Sequence, residues 1–295
     1  MFEKLFAESG LSLDRLKTLL EVGVAGSIAK AAGGDPVRQS QYSRQLKELG
    51  DFFRTKLVER HGKGMRLTPG GRELARISRF FMLGLANFQR GCLAEEQTFK
   101  LGASATFIRQ VLLPVLSPTR KPGSRYLTET VSDAEIERRL HDLTLDFGVV
   151  NHSLVSRPLQ TKCLGSWKLT LWVPRKFGRK EADLRRQFQQ QDLPLALARS
   201  ELSPLGVTQL DEYPAQLVCD NFLEAREILA RQELATVLPD YLAPGKEFIP
   251  VSVPALAKLT LHYYLVWNPR LLRLNPPAVR WRDALAEWLT KQFDL

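Results

Sequence analysis

LKTLLEVGVAGSIAKAAGGDPVRQSQYSRQLKELGDFFRTKLVERHGKGMRL, residues 16–67, decides the fold of the first part of this chain. Leu16, Leu19, Leu20 and Gly23 fall at i, i+3, i+4, i+7, the stripe of a helix with one buried face. Ser27 stands where a cap is needed for a short helix through Ile28, Ala31 and Ala32, whose small side chains permit close helix approach. Tyr42, Leu46, Leu49 and Phe53 form the apolar stripe of a third helix over about Val37 to Phe53, and Asp35-Pro36 can cap and start it a turn early. Its other side carries Gln39, Ser40, Ser43, Arg44 and Lys47, hydrogen-bonding and basic groups without an acid, as entry into a DNA major groove requires. Leu57-Val58, the tip His61-Gly62-Lys63-Gly64 and then Met65-Arg66-Leu67 read as strand, flexible basic turn and strand. Residues 1–67 are thus expected to form a winged helix-turn-helix.

Outward from this segment, Thr68-Pro69 reads as the cap and first residue of a long helix running to about Glu96, some 40 Å at 1.5 Å per residue, within a linker and dimerisation segment over residues 68–98. Leu74, Ile77, Phe81, Gly84, Phe88 and Gly91 repeat at alternating spacings of three and four, a coiled-coil seam that predicts pairing with a second copy. Beyond it, strand-like and helix-like stretches alternate. Phe99–Ala103, Arg125–Val131, Leu145–Val150, Lys168–Val173, Leu193–Ala198, Gln216–Cys219, Ala235–Leu238 and Leu259–Trp267 read as strands. Ser132-Asp133-Ala134-Glu135 reads as a capping box, Asn221 to Arg231 as a helix, and Trp281 to Phe293 as a final amphipathic helix. This alternation predicts parallel β-structure covered by helices, in two α/β lobes joined by crossover strands near Cys163 and Val266. Lobe I would comprise residues 99–162 and 267–295, and lobe II residues 163–266. The fold class is therefore α plus α/β.

The order of these parts resembles the LysR-type transcriptional regulators. Ser43-Arg44-Gln45 stands on that family's Ser-Arg-Gln, Leu57-Val58-Glu59-Arg60 on its Leu-Phe-Glu-Arg, and Arg66-Leu67-Thr68-Pro69-Gly70-Gly71 on its Arg-Leu-Thr-x-x-Gly. The resemblance implies DNA contacts from Gln39, Ser43 and Arg44 on the helix and from Arg60 and Lys63 on the wing; Ser27, Arg38, Ser40 and Lys47 complete the expected DNA-facing set. It also implies a C-terminal effector domain of the periplasmic-binding-protein type II fold, with a small, anionic molecule between the lobes. Ser104 and Thr106, hydroxyls at a helix start, are the first candidates to hold it, joined by Asn151, Ser200, Ser203 and Asn221. A homodimer or dimer of dimers, double-stranded DNA and a small-molecule effector are the expected partners, with no cofactor. This chain departs from the family pattern at Gly33-Gly34, where the second helix normally continues, at Gly50, usually glutamate, and at Arg231-Gln232-Glu233-Leu234, usually a glycine-rich turn.

Composition agrees with a nucleic-acid partner. The 295 residues carry a formal charge of +10. Residues 1–98 hold 16 Lys and Arg against 11 Asp and Glu, so half of the excess lies in the first third. The three cysteines show no metal-ligand spacing, and the opening MFEKLFAESG lacks a secretory apolar stretch, so a cytoplasmic location without membrane attachment is expected. His61, His141, His152 and His262 are scattered, and neither GxSxG, a P-loop nor a dinucleotide glycine pattern occurs, which speaks against an enzyme. A thiol redox sensor built on Cys163 and Cys219, a secreted solute-binding protein, and a degenerate regulator acting through protein contacts are the weaker alternatives.

Overall fold

A computed structural model of the chain describes residues 3, 5, 10–61, 64–93, 97–116, 124–202, 210 and 212–293. The chain divides into two compact units, Met1–Glu95 and Glu96–Leu295. Among the described residues, no helix is long and apolar enough to cross a membrane.

The first unit contains α1 (Leu13–Ala25), α2 (Ile28–Ala31), α3 (Pro36–Phe52), the antiparallel pair β1 (Val58–His61) and β2 (Gly64–Leu67), and α4 (Pro69–Leu93). Each early helix start is chemically specified. Ser12, Ser27 and Asp35 accept backbone N–H groups of Arg15, Lys30 and Val37, satisfying donors that helix geometry leaves orphaned. Gly33 and Gly34 both have positive φ, 63° and 83°, so this pair ends α2 and swings the chain into the Asp35 cap. Leu16, Leu19, Val22, Ile28, Leu46, Leu49, Leu57, Leu67 and Ala75 form one core. Two glycines, the unusual Gly50 and the family-typical Gly71, mark close backbone approaches. A Cβ on Gly50 would stand 2.8 Å from the Thr55 carbonyl oxygen, so a glutamate there would require the turn after α3 to shift, and one on Gly71 would stand 2.1 Å from the Leu57 carbonyl oxygen. Thr68 ties the same corner, its hydroxyl donating to the Lys56 carbonyl at 2.6 Å and accepting from Gly71 N at 3.0 Å.

In the second unit a mixed sheet runs in the order β4-β3-β5-β11-β6-β9-β7-β8, with β10 also paired to β6. These strands are β3 (Gln97–Ala103), β4 (Ser124–Thr130), β5 (Phe147–Val150), β6 (Gln160–Pro174), β7 (Leu195–Ala198), β8 (Leu217–Cys219), β9 (Ala235–Pro239), β10 (Phe248–Val251) and β11 (Thr260–Trp267). The trios β4-β3-β5 and β8-β7-β9 are parallel, whereas β6 and β11 run antiparallel to each other and to the strands beside them. The fully parallel arrangement expected from strand–helix alternation is thus confined to the two trios. β6 extends well before the expected Lys168, and β10 lies outside the expected strands. Along β11, Tyr264–Trp267 pair with β5, and the whole strand pairs with β6, with a bulge between Tyr263 and Tyr264.

Helices pack against both parallel trios of this sheet. One runs through Ala105–Phe107, a π-helical turn Ile108–Leu112 and Leu113–Leu116, together α5. The others include α6 (Asp133–His141), α7 (Glu181–Gln189), α8 (Arg199–Leu202), α9 (Phe222–Ala230) and α12 (Pro276–Thr290), with α10 (Pro254–Ala257) and α11 (Pro269–Leu274) between. The final helix begins at Pro276, earlier than expected, and lies on the β4-β3-β5 trio. Trp281 stacks on Phe99 with centroids 4.7 Å apart and donates to the Tyr126 hydroxyl at 3.0 Å. α6 sits close on β5 because Gly148 offers no Cβ; one would stand 2.2 Å from Ile136 Cγ2.

Candidate functional site

On α3 the residues split as amphipathic periodicity requires. Leu46 and Leu49 are buried, and Gln45 accepts the Thr18 hydroxyl at 2.7 Å, fixing α3 to α1. Tyr42 donates to Glu21, which holds its phenol above the usual range. Arg38, Ser40, Ser43, Arg44 and Lys47 are exposed and Gln39 is half-buried. Helix period puts Gln39, Ser40, Ser43, Arg44 and Lys47 on one side, whereas Arg38 lies a turn before Tyr42 on the other. Within this set, and among the described residues, Arg44 alone stands in an ion pair, with Glu48 at 3.8 Å, too long and too exposed to hold the guanidinium. Val37, 76% exposed at the start of α3, is an apolar contact of the kind that meets a thymine methyl; as an exposed apolar residue it falls outside any buried stripe, so periodicity does not mark it. Ser27 uses its hydroxyl as the α2 cap.

The groove between α3 and the β1-β2 pair is lined by Ser43, Lys47, Arg54 and Lys56, with the acid Asp51 and apolar residues among them, so donors outnumber acid beside the reading side. Arg54 and Lys56 lie in the turn after α3, where no periodic pattern marks them. On the wing, Arg60 is exposed and faces Met65 across the pair, while Arg66 bonds Glu59 at 2.9 Å. Lys63 lies outside the described residues. Along α4, Ile77, Phe81, Leu85 and Phe88 are exposed at 55%, 49%, 46% and 74%, an apolar stripe with spacings of four, four and three.

In the second unit a cavity of about 570 Å³ lies where strand ends meet helix starts. Ser104, Asn151, Ser200 and Asn221 line it as expected. Thr106 does not. It is fully buried behind the wall, its hydroxyl donating to Glu201 Oε2 at 2.8 Å. Ser203 lies outside the described residues. Several expected ligand groups already have partners. Asn221 Oδ1 caps α9 by accepting from Leu223 N and Glu224 N, both at 3.1 Å, Ser200 donates to Asp220 at 2.8 Å, and Asn151 Nδ2 donates to the His262 carbonyl at 3.0 Å.

The cavity holds acid that no motif in the sequence announces. Asp133, Glu137, Glu201 and Asp220 line it, and among the described lining residues neither Lys nor Arg answers them. His152 stands between two of these acids, its Nε2 3.5 Å from Glu137 and 3.8 Å from Asp133. The expected capping box of Ser132 with Glu135 does not form: the Ser132 side chain makes no cap bond and Glu135 accepts from Arg138. The Asp133 carboxylate accepts from Asn151 N at 2.8 Å. Burial raises the Asp133 carboxyl above the ordinary range, against the pull of Asn151 N and His152. Burial likewise raises Glu201, although Phe222 N, Ser104 and Thr106 all bond it. An anionic ligand would therefore meet like charge here, contrary to what Ser104 and Thr106 suggested.

Other chemistry finds little footing. Among the described residues, no group of three or more His, Cys, Asp or Glu could hold a metal. Cys219 is half-buried beside Glu224 and its thiol is pushed up to about 11, so it carries almost no reactive thiolate at neutral pH.

The family profile described as "Bacterial regulatory helix-turn-helix protein, lysR family" matches residues 13–72, and the profile "LysR substrate binding domain" matches residues 94–290. No curated protein matches the chain by sequence. Among solved structures, a full-length single-substitution variant of OxyR from Pseudomonas aeruginosa is similar, with 18% identity, coverage of 96% of this chain and 95% of that one, and a TM-score of 0.63. LysG from Corynebacterium glutamicum with bound effector Arg shares 17% identity over 94% of this chain and 99% of its own, with a TM-score of 0.60. Full-length CbnR complexed with its target DNA shares 18% over 92% and 100%, with a TM-score of 0.52. At these identities the likeness carries the fold.

Proposed function

The chain belongs to the LysR family of bacterial helix-turn-helix transcriptional regulators, and from that premise we propose how it works: it reads specific duplex DNA with α3, and a small molecule in the second unit's cavity modulates that binding. The family is one of regulators, so the chemistry is binding rather than catalysis. The observation that carries the reading is the exposed side of α3. Gln39, Ser40, Ser43, Arg44 and Lys47 are accessible there, with Glu48 at the edge, 3.8 Å from Arg44, and Arg38 exposed at the helix start.

In this reading Gln39 and Ser43 address base edges, Val37 a thymine methyl, and Arg38, Arg44, Lys47, Arg60 and Lys63 the phosphates, with Ser27 at the start of α2 beside them. Lys56 and Arg54 extend the phosphate track. CbnR, of similar fold, is described in complex with its target DNA. Residues 1–67 serve as the reading domain, 68–98 as the pairing helix, and 99–295 as the effector domain with lobes 99–162 plus 267–295 and 163–266. The exposed stripe Ile77, Phe81, Leu85 and Phe88 supports pairing of two copies, which brings two α3 helices to two half-sites. DNA as partner sets the compartment as the cytoplasm.

The cavity bounded by Ser104, Asn151, Ser200 and Asn221 is the effector site in this reading. LysG is described with bound arginine, a molecule bearing a guanidinium. The carboxylates of Asp133, Glu137 and Asp220 favour a neutral or cationic molecule over the anion first expected. Such a molecule acts only as far as its affinity differs between two arrangements of the protein.

The test is a fluorescence-anisotropy titration of the full chain with duplex DNA from upstream of its own coding region and with a shuffled duplex, at two salt concentrations. Specific binding tighter than to the shuffled duplex by about 10³-fold or more is the expected result. Equal affinity for both, vanishing with salt, would leave a basic remnant without sequence reading.

A further inference from the structure

Glu201 sits where α5, α8 and α9 meet, and its surroundings are unusual for a protein carboxylate. Oε2 accepts the Thr106 hydroxyl at 2.8 Å and the Phe222 backbone N–H at 2.7 Å, and the Ser104 hydroxyl bonds the same carboxylate. These donors come from segments far apart in sequence: Thr106 is 95 positions before Glu201 and Phe222 is 21 after it. Phe222 N is the first backbone donor of α9, and the Asn221 cap takes the next two, leaving this one for Glu201. Thr106 is fully buried, so its hydroxyl has no water to turn to.

Two hydroxyls and a helix-terminal N–H converging on one point are the donor set that binds a carboxylate ligand. We infer that Glu201 is a built-in anion. Its carboxylate fills the anion position of the cleft, so the cleft rejects carboxylate effectors. The inference rests on reading the cavity as the effector site. A second carboxylate placed beside Glu201 would find the donors taken and would face Asp220, Asp133 and Glu137 as well. The bond also does what a ligand does in a two-part site, joining the helix after β3 to the helix after β8.

Chemical rescue tests it. Thermal unfolding of the full chain is followed in sodium chloride and in sodium acetate at equal ionic strength, for the wild type, E201A and E201Q. E201A opens a carboxylate-sized space in front of free donors, so acetate should raise its Tm saturably by about 2–4 °C. The wild type should ignore acetate, and so should E201Q, whose amide fills the space and keeps an acceptor. The same preparations are titrated with the specific duplex. E201A should differ several-fold from the wild type in chloride and return toward it in acetate, a change that a purely structural bridge would not produce. Should E201A not fold, E201S opens much of the same space while offering Phe222 N a partner. Equal stabilisation of the wild type and E201A, no response of E201A, a response of E201Q matching that of E201A, or a DNA affinity indifferent to Glu201 would each overturn the inference. If the wild type fails to distinguish the two duplexes, the regulator reading fails while the acetate result stands on its own.

Discussion

The reading side of α3 and the cavity of the second unit hold their polar groups in opposite ways. On α3, Arg38, Ser40, Ser43, Arg44 and Lys47 are exposed, and the one ion pair they make among the described residues, Arg44 with Glu48, spans 3.8 Å. In the cavity, Glu201, Asp133, Ser200 and Asn221 are each bonded to the protein's own groups. A surface that meets a long polyanion gains from side chains left uncommitted, because phosphates supply the missing partners on arrival. A cavity that selects one small molecule gains from groups fixed in advance, because rigidity there lowers the cost of binding and penalises the wrong charge.

The largest effect expected to test this contrast concerns the stripe on α4. Phe81→Glu with Phe88→Glu should give a monomer in sedimentation velocity and lower the affinity for a two-half-site duplex by about 10²–10⁴-fold, since each copy then binds alone. A dimer that persists would assign the stripe to another contact. Next comes Thr106→Val, which keeps the shape but removes a donor from a buried carboxylate. It should cost about 1.5–3 kcal/mol in urea unfolding while leaving the α3 side untouched. Gln39→Ala should weaken specific binding about 10–100-fold and leave the shuffled duplex unaffected, whereas Arg44→Ala should weaken both and lower the salt slope by about one. A uniform loss for Gln39→Ala would make it a phosphate contact and erase the division of labour on α3.

The smallest effect follows from acidity. The Glu201 carboxyl is raised above its ordinary range by burial, so the folded chain holds its proton more tightly than the unfolded chain. The cost of ionising it is fully present above the folded pKa and fades as pH falls through that pKa toward the unfolded value of about 4.3. The difference in stability between E201Q and the wild type should therefore shift against E201Q between pH 7.5 and about pH 5. A difference constant with pH would mean that Glu201 is ionised with equal ease in both states.

The same contrast explains what the sequence disclosed. The α3 side is a local property: the buried stripe and the polar residues opposite it sit within one helix, so period alone places Gln39, Ser40, Ser43, Arg44 and Lys47 on the surface. The Ser27 and Asp35 caps are equally local, as is the turn at Gly33-Gly34. The cavity is not local. Ser104, Asn151, Ser200 and Asn221 are legible as polar residues where strands end. Asp133 and Glu201, by contrast, read as ordinary acids in the first turn of a helix, a placement that helix dipoles favour everywhere. Only the meeting of α5 with α8 and α9 turns Glu201 into the partner of Thr106, and no spacing in the chain encodes that meeting. β6 reads short because Gly165 breaks the apolar alternation; that glycine has φ 150° and faces Phe293, which a Cβ would approach to 2.3 Å. Pro250 likewise hides β10, where it pairs with Trp172.

The corner at Gly71 has a mechanical side. With its first turn pressed against the Leu57 carbonyl and bolted by Thr68, α4 begins as a stiff extension of the wing. If two such extensions are riveted together along Phe81 and Phe88, the pair becomes a caliper whose jaws are the α3 helices. The gap between the jaws is then a matter of engineering tolerance, set where the rivets sit along about 38 Å of α4. A regulator built this way measures the distance between two half-sites as well as reading their letters, and a bulky residue at position 71 would bend the instrument without touching the DNA.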